Sequence, residues 1–115
     1  MDREFSQTEI EAIVAEAKAA AQVAANEYFN EKLQGVDQYA CGFAWVNIYG
    51  IKGNTKLGKV FKAAGVKRDW ENQLQIWNPS GHNCQNIDTK EAGAYAAAAV
   101  FKKHGFDAYA GSRLD

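Results

Sequence analysis

The sequence predicts an α+β domain, a two-layer α/β sandwich in the order α-β-α-β-α-β, with a small three-stranded sheet and a long N-terminal helix. Three observations carry that expectation. A capping box, Ser6 with Glu9, opens a stripe of apolar residues at helical spacing. Residues 39–51, YACGFAWVNIYGI, alternate with the period of a strand. Two further alternating runs, at 73–77 and 106–113, are separated from it and from each other by helical patterns that end at glycine.

The first helix is expected over residues 7–33, with Phe5 and Ile10 as a hydrophobic staple and Gly35 closing it. Its stripe of Ile10, Ile13, Val14, Ala17, Ala20, Ala21, Ala24, Tyr28 and Phe29 is rich in alanine, which lets another helix or a sheet come close. In the strand that follows, Gly42, Ala44, Val46, Ile48 and Gly50 are small or aliphatic. Cys41, Phe43, Trp45, Asn47 and Tyr49, on the opposite side, are aromatic or polar. One face thus suits packing under helices and the other suits recognition.

Residues 52–54 form a turn by composition, and Asn54 is expected to cap a helix over 55–64 whose inner face is Leu57, Val60, Phe61 and Ala64. The run Gln73-Leu74-Gln75-Ile76-Trp77 reads as the second strand and stops at the breaker Asn78-Pro79-Ser80-Gly81. A second capping box, Asp88 with Glu91, is expected to start an alanine-rich helix that runs to His104 and ends at Gly105. The third strand sets Ala108 and Ala110 against Tyr109, Gly111 and Arg113. Residues 1–115 read as one domain, with a long helix in 1–35 and an α/β core in 39–115. Helical connections are compatible with parallel and with antiparallel neighbours, so strand direction stays open.

The composition is that of an ordinary globular protein, with no apolar run long enough to span a bilayer. Residues 1–5 are charged where a signal peptide would be apolar, so a cytoplasmic protein is expected. Cys41 and Cys84 make no disulfide framework and are expected as reduced thiols. The net charge of −1 conceals a segregation: residues 1–40 hold eight acidic and three basic side chains, residues 52–68 six basic ones and no acid.

If the three strands share a sheet, one side gathers Phe43, Trp45, Asn47, Tyr49, Gln73, Gln75, Trp77, Tyr109 and Arg113. The rings can stack on bases or other flat ligands, the amides can read donor and acceptor edges, and Arg113 can pair with phosphate or carboxylate. Small sheets that bind single-stranded RNA use these parts, although their aromatic signature motifs are not present here. The competing expectation is that the long first helix or a second subunit covers this face. The loop after Trp77, with Asn78, Ser80 and His82, lies where strand ends commonly carry function, but Asn, Pro and Gly also serve the turn itself.

Residues 53–59 fit G-x-x-x-x-G-K between a strand and a helix. Val60 stands where Ser or Thr would hold magnesium, so a nucleotide-hydrolysing loop is not expected. What remains is a basic stretch, with Lys56 and Lys59 at its centre, that either attracts phosphate or an acidic partner or is a solvated lysine face. Cys41, His82, Cys84 and His104 have no zinc-site spacing, so neither metal nor cofactor is expected. A thiol hydrolase with Cys41 as nucleophile and His82 as base is the enzymatic alternative.

The segments CGFAWVNIYGIKGNTKLGKVFK, LQIWNPSG, KEAGAYAAAAVFKKHGF and AYAGSRLD make the chain, over residues 39–115, similar to a group of short uncharacterised proteins of tailed bacteriophages. The resemblance implies a viral product acting in the bacterial cytoplasm and brings no known activity. The expectation is a homodimeric binding module. Trp45, Asn47, Tyr49, Gln73, Gln75, Trp77 and Arg113 on its sheet, with the 78–82 loop and Lys56 and Lys59, would engage a host protein, a nucleotide or nucleic acid. A structural homo-oligomer using the same face is the alternative from another class.

Overall fold

Ser6 accepts a hydrogen bond from the backbone N–H of Glu9 at 3.1 Å, and the Glu9 carboxylate accepts one from the Ser6 N–H at 3.2 Å. This reciprocal cap starts helix α1, Gln7–Glu31. The computed structural model describes residues 4–69 and 71–115; of the charged start at 1–5, residues 1–3 lie outside them. The remaining elements are β1 (Gly42–Lys52), α2 (Lys56–Ala63), β2 (Lys67–Arg68), β3 (Gln73–Trp77), α3 (Ile87–Lys103) and β4 (Asp107–Leu114). The class is α+β, as the alternation predicts.

Among the described residues the sheet has four strands, not three, in the order β2-β3-β1-β4, and every neighbouring pair is antiparallel. The added strand is only two residues long, too short to show any alternation. It forms because the Asp69 carboxylate accepts from the N–H groups of Glu71 and Gln73, folding the chain back so that Lys67 pairs with Gln75 and Arg68 with Leu74.

Helix α3 covers β1 and β4, and α1 runs along α3 on the same side of the sheet. The alanines do what their size allows: Ala17, Ala21 and Ala25 of α1 and Ala94 and Ala97 of α3 are fully buried, so the two helices approach closely. Below them Ala44, Val46 and Ile48 of β1, Leu74 and Ile76 of β3 and Ala108 of β4 complete one core. Phe61 of α2 wedges beside Phe101 and Phe106, its ring centroid 5.2 Å from that of Phe106. Among the described residues no helix is long and apolar enough to cross a membrane.

Two helix starts differ from the sequence expectation. Helix α2 is capped by Thr55 rather than Asn54, its hydroxyl accepting from the Gly58 N–H at 3.1 Å. Helix α3 is capped by Asn86 rather than Asp88. Asn86 wins because its buried amide satisfies three groups at once: its oxygen accepts from the Thr89 N–H at 2.8 Å and the Thr89 hydroxyl at 2.9 Å, and its nitrogen donates to the Gln38 carbonyl at 2.8 Å. The first helix ends at Glu31, two residues before the expected end, and Gly35 takes φ +76 just beyond it.

Candidate functional site

The side of the sheet away from the helices carries Phe43, Trp45, Asn47 and Tyr49 of β1, Gln73, Gln75 and Trp77 of β3, and Tyr109 and Arg113 of β4. The register places Trp45 opposite Trp77 on one side and Gly111 on the other, and Asn47 opposite Gln75 and Tyr109. The expectation that the first helix covers this face is not met, because the stripe of α1 is spent on α3 and the common core. Trp77, Tyr109 and Tyr49 are 47%, 52% and 39% exposed.

The rings form two groups. At one end the Trp45 and Trp77 rings lie 5.0 Å apart at 34°, Phe43 meets Trp77 edge-on at 6.0 Å, and the Arg113 guanidinium sits 5.4 Å from the Phe43 ring and 6.0 Å from that of Trp77. At the other end Tyr49 and Tyr109 are 5.8 Å apart, with the Lys102 ammonium 4.5 Å from the Tyr109 ring. A positive charge thus stands at each end of an aromatic strip.

Between the two groups runs a chain of side-chain hydrogen bonds. The Trp77 indole N–H donates to Gln75 Oε1 at 2.5 Å, Gln75 Nε2 to Asn47 Oδ1 at 2.9 Å, and Asn47 Nδ2 to the Tyr49 hydroxyl at 3.2 Å. Each amide keeps one N–H and part of its acceptor capacity for a ligand, and the chain fixes the orientation in which they are offered. Gln73 differs from its neighbours: its Nε2 donates to the Ile48 carbonyl and, at 3.4 Å, to that of Leu74, so it fills the bulge between Ile48 and Lys52.

The loop residues belong to a closed turn. Asn78 Nδ2 donates to the His82 carbonyl, the Ser80 hydroxyl donates to Asn78 Oδ1, and the His82 N–H donates to Ser80 Oγ. Ser80 is buried, and the His82 ring packs 4.7 Å from Phe29 while its Nδ1 accepts from the Cys84 N–H at 3.3 Å. These three side chains hold the β3–α3 connection and are not brought to the aromatic strip. Lys56 and Lys59 are exposed on α2, whose inner face joins the core, so they too stand apart from it.

The loop at 53–59 is not a phosphate cradle. Gly58 already lies in α2 with its N–H held by Thr55, and a Cβ there would sit 2.0 Å from the Lys52 carbonyl oxygen. Its glycines serve a close crossing of α2 over the end of β1. Cys41 is exposed, and its Sγ has the Tyr39 carbonyl at 4.0 Å as its polar neighbour. No hydrogen bond joins Cys41 to His82 among the described residues. Burial pushes the Cys84 thiol above its ordinary range. No group of three metal-ligating side chains occurs among the described residues.

Sequence reasoning missed two participants, Lys102 and the close approach of Gly111 to the Trp45 ring, where a Cβ at position 111 would fall 2.5 Å from Trp45 Nε1. Lys102 lies on α3 and reaches Tyr109 only because β4 returns beside that helix, which no local pattern encodes. The chain matches no protein-family model, no curated protein and no solved structure.

Proposed function

We propose that this chain is a non-enzymatic binding module that holds unpaired nucleobases, of a nucleotide or a single-stranded nucleic acid, on its open sheet face. The observation that carries the proposal is the open Trp45–Trp77 pair, flanked by the Arg113 guanidinium, with the Trp77 indole held by the Gln75 amide. An indole oriented by a hydrogen bond, as Trp77 is, offers stacking area at little entropic cost, and base-on-ring stacking contributes about 1–3 kcal/mol per base. Arg113 and Lys102 supply charge for phosphates at the two ends of the strip. Among the partners expected from sequence, this favours nucleotide or nucleic acid over a host protein. The resemblance to phage proteins supports an infected bacterial cytoplasm as the setting.

The test is fluorescence anisotropy of a labelled single-stranded oligonucleotide titrated with the protein. Trp77→Ala should weaken binding by about tenfold or more, the equivalent of one lost stack. Binding of duplex and single strand with equal affinity, untouched by Trp77→Ala, would refute the proposal.

A second reading is a structural homodimer that buries the same face. The internal hydrogen bonds from Trp77 to Tyr49 favour it, since they already pair part of the polar groups that burial would cover and leave one N–H on each amide for the partner copy. Light scattering separates the two: in the dimer Trp45→Ala lowers the mass, whereas a ligand face leaves a monomer's mass unchanged.

A further inference from the structure

Around the edge of β3 from the aromatic strip, a cleft of about 420 Å³ opens between α1 and the residues that flank β2. Its polar lining includes Lys18 and Gln22 from α1 and Lys67 from β2, and no Asp or Glu lines it. Among the described residues, neither ammonium group nor the Gln22 amide has a hydrogen-bond or ion-pair partner in the structure. This sets them apart from Lys103, which pairs with Glu16, and Lys90, which donates to the Gly42 carbonyl at 2.9 Å. Two like charges facing one cleft without a counterion repel each other, and an anion between them removes that cost.

The backbone adds a donor. Asn78 N–H donates to the Ala44 carbonyl at 2.8 Å, which fixes Leu74, Ile76 and Asn78 as the β3 residues bonded to β1. The N–H of Trp77 therefore points the other way, toward β2. There the ladder has ended: Lys67 pairs with Gln75, and among the described residues no backbone hydrogen bond runs from the Trp77 N–H to the carbonyl of Gly65, next in line. Trp77 and Gly65 both line the cleft, and the Lys18 ammonium comes within 3.9 Å of where a Cβ on Gly65 would be.

We propose that this cleft is an anion site for a phosphate group, held by Lys18, Lys67, the Gln22 amide and the Trp77 N–H, and that it receives the phosphate of the nucleotide whose base stacks on Trp77. The second half of the proposal rests on the base-binding function above; the first does not. Trp77 belongs to both places, its ring to the aromatic strip and the residue itself to the lining of the cleft, so the two sites meet at one residue. A free phosphomonoester and the phosphodiester of a single strand share the required chemistry.

The experiment follows backbone amides and indole N–H groups of the ¹⁵N-labelled full chain by NMR. Inorganic phosphate, adenosine monophosphate and a short oligothymidylate are titrated separately at constant ionic strength, with sodium chloride as control. Saturable movement of the Trp77, Gly65 and Gly81 amides with phosphate is expected, weakened at least threefold by Lys18→Gln or Lys67→Gln and restored by Lys67→Arg. Adenosine monophosphate should move these amides together with the Trp45 and Trp77 indoles. Saturation by oligothymidylate but not by the free monoester would assign the site to the strand backbone, and the reverse to free nucleotides. Amide shifts that match the chloride control, or that persist in the Lys18→Gln/Lys67→Gln double variant, would overturn the anion site even if the indoles respond to oligothymidylate. Phosphate saturation with indoles that never respond would leave the anion site standing and overturn its link to base binding.

Discussion

The Trp45 indole lies across the backbone of Gly111: a Cβ at position 111 would fall 2.5 Å from Trp45 Nε1 and 2.7 Å from Cε2. The two residues are direct partners in the β1–β4 register, so the glycine makes a seat for the ring on the neighbouring strand. Seated there, Trp45 presents its other side toward Trp77.

Gly111→Ala should therefore unseat Trp45. Because the ring is only partly buried and can swing outward, the cost is expected near the low end of overpacking effects, about 1 kcal/mol. Urea unfolding would measure that loss, and a shifted Trp45 indole resonance would report the displaced ring. Base binding should fall with it.

Asn86→Ala should be among the most damaging single changes. It removes the α3 cap and leaves the fully buried Thr89 hydroxyl and the Gln38 carbonyl without their partner. A lost cap costs about 1 kcal/mol and an orphaned buried polar group about 1–3 kcal/mol more. Denaturant unfolding of Asn86→Ala should show a loss of about 2–4 kcal/mol, whereas Asp88→Ala at an exposed first-turn position should stay within about 0.5 kcal/mol.

That contrast shows where the sequence was legible. The Ser6–Glu9 box and the run at 73–77 signal through neighbours three residues apart or fewer, and the structure bears them out; of the alternation expected over 39–51 it bears out Gly42 to Ile48, since β1 starts at Gly42 and the bulge after Ile48 turns Gly50, at φ +80, out to solvent. The α3 cap depends on the Gln38 carbonyl and on Asp37, whose carboxylate accepts from the N–H groups of Gln85 and Asn86. Those partners lie nearly fifty residues away, so the local Asp88–Glu91 spacing misled. The two faces of the sheet were readable because period-two alternation sorts them. The cleft was not, since Lys18, Gln22, Lys67 and Trp77 converge only through the packing of α1 beside the β2–β3 hairpin.

Glu16 ties α1 to the end of α3, pairing with Lys103 and, at 2.9 Å, with His104. The hydrogen bond from Lys103, then that from His104, holds its carboxyl below the ordinary value of 4.5. A carboxyl whose pKa is lowered on folding stabilises the fold above its unfolded value and loses that contribution as pH falls through the folded value. Glu16→Gln should thus lower the unfolding temperature slightly at pH 6, with the difference from the parent protein vanishing as pH is brought well below 4.5. A difference independent of pH in thermal melts would contradict this.

The two thiols should separate by reactivity. Exposed Cys41 is expected to react with a disulfide reagent in the native state, while Cys84, buried and with its pKa pushed up by desolvation, should react only as the chain unfolds. Thiol titration with and without denaturant would give one group and then two.

The central claim is that the open aromatic strip takes unpaired bases, and the indole N–H resonances of Trp45 and Trp77 test it most directly. Titration with a short single-stranded oligonucleotide should move both resonances to saturation, with the effect abolished by Trp77→Ala at the remaining indole of the pair. Resonances that stay in place throughout the titration, in a protein shown by light scattering to be monomeric, would contradict the account.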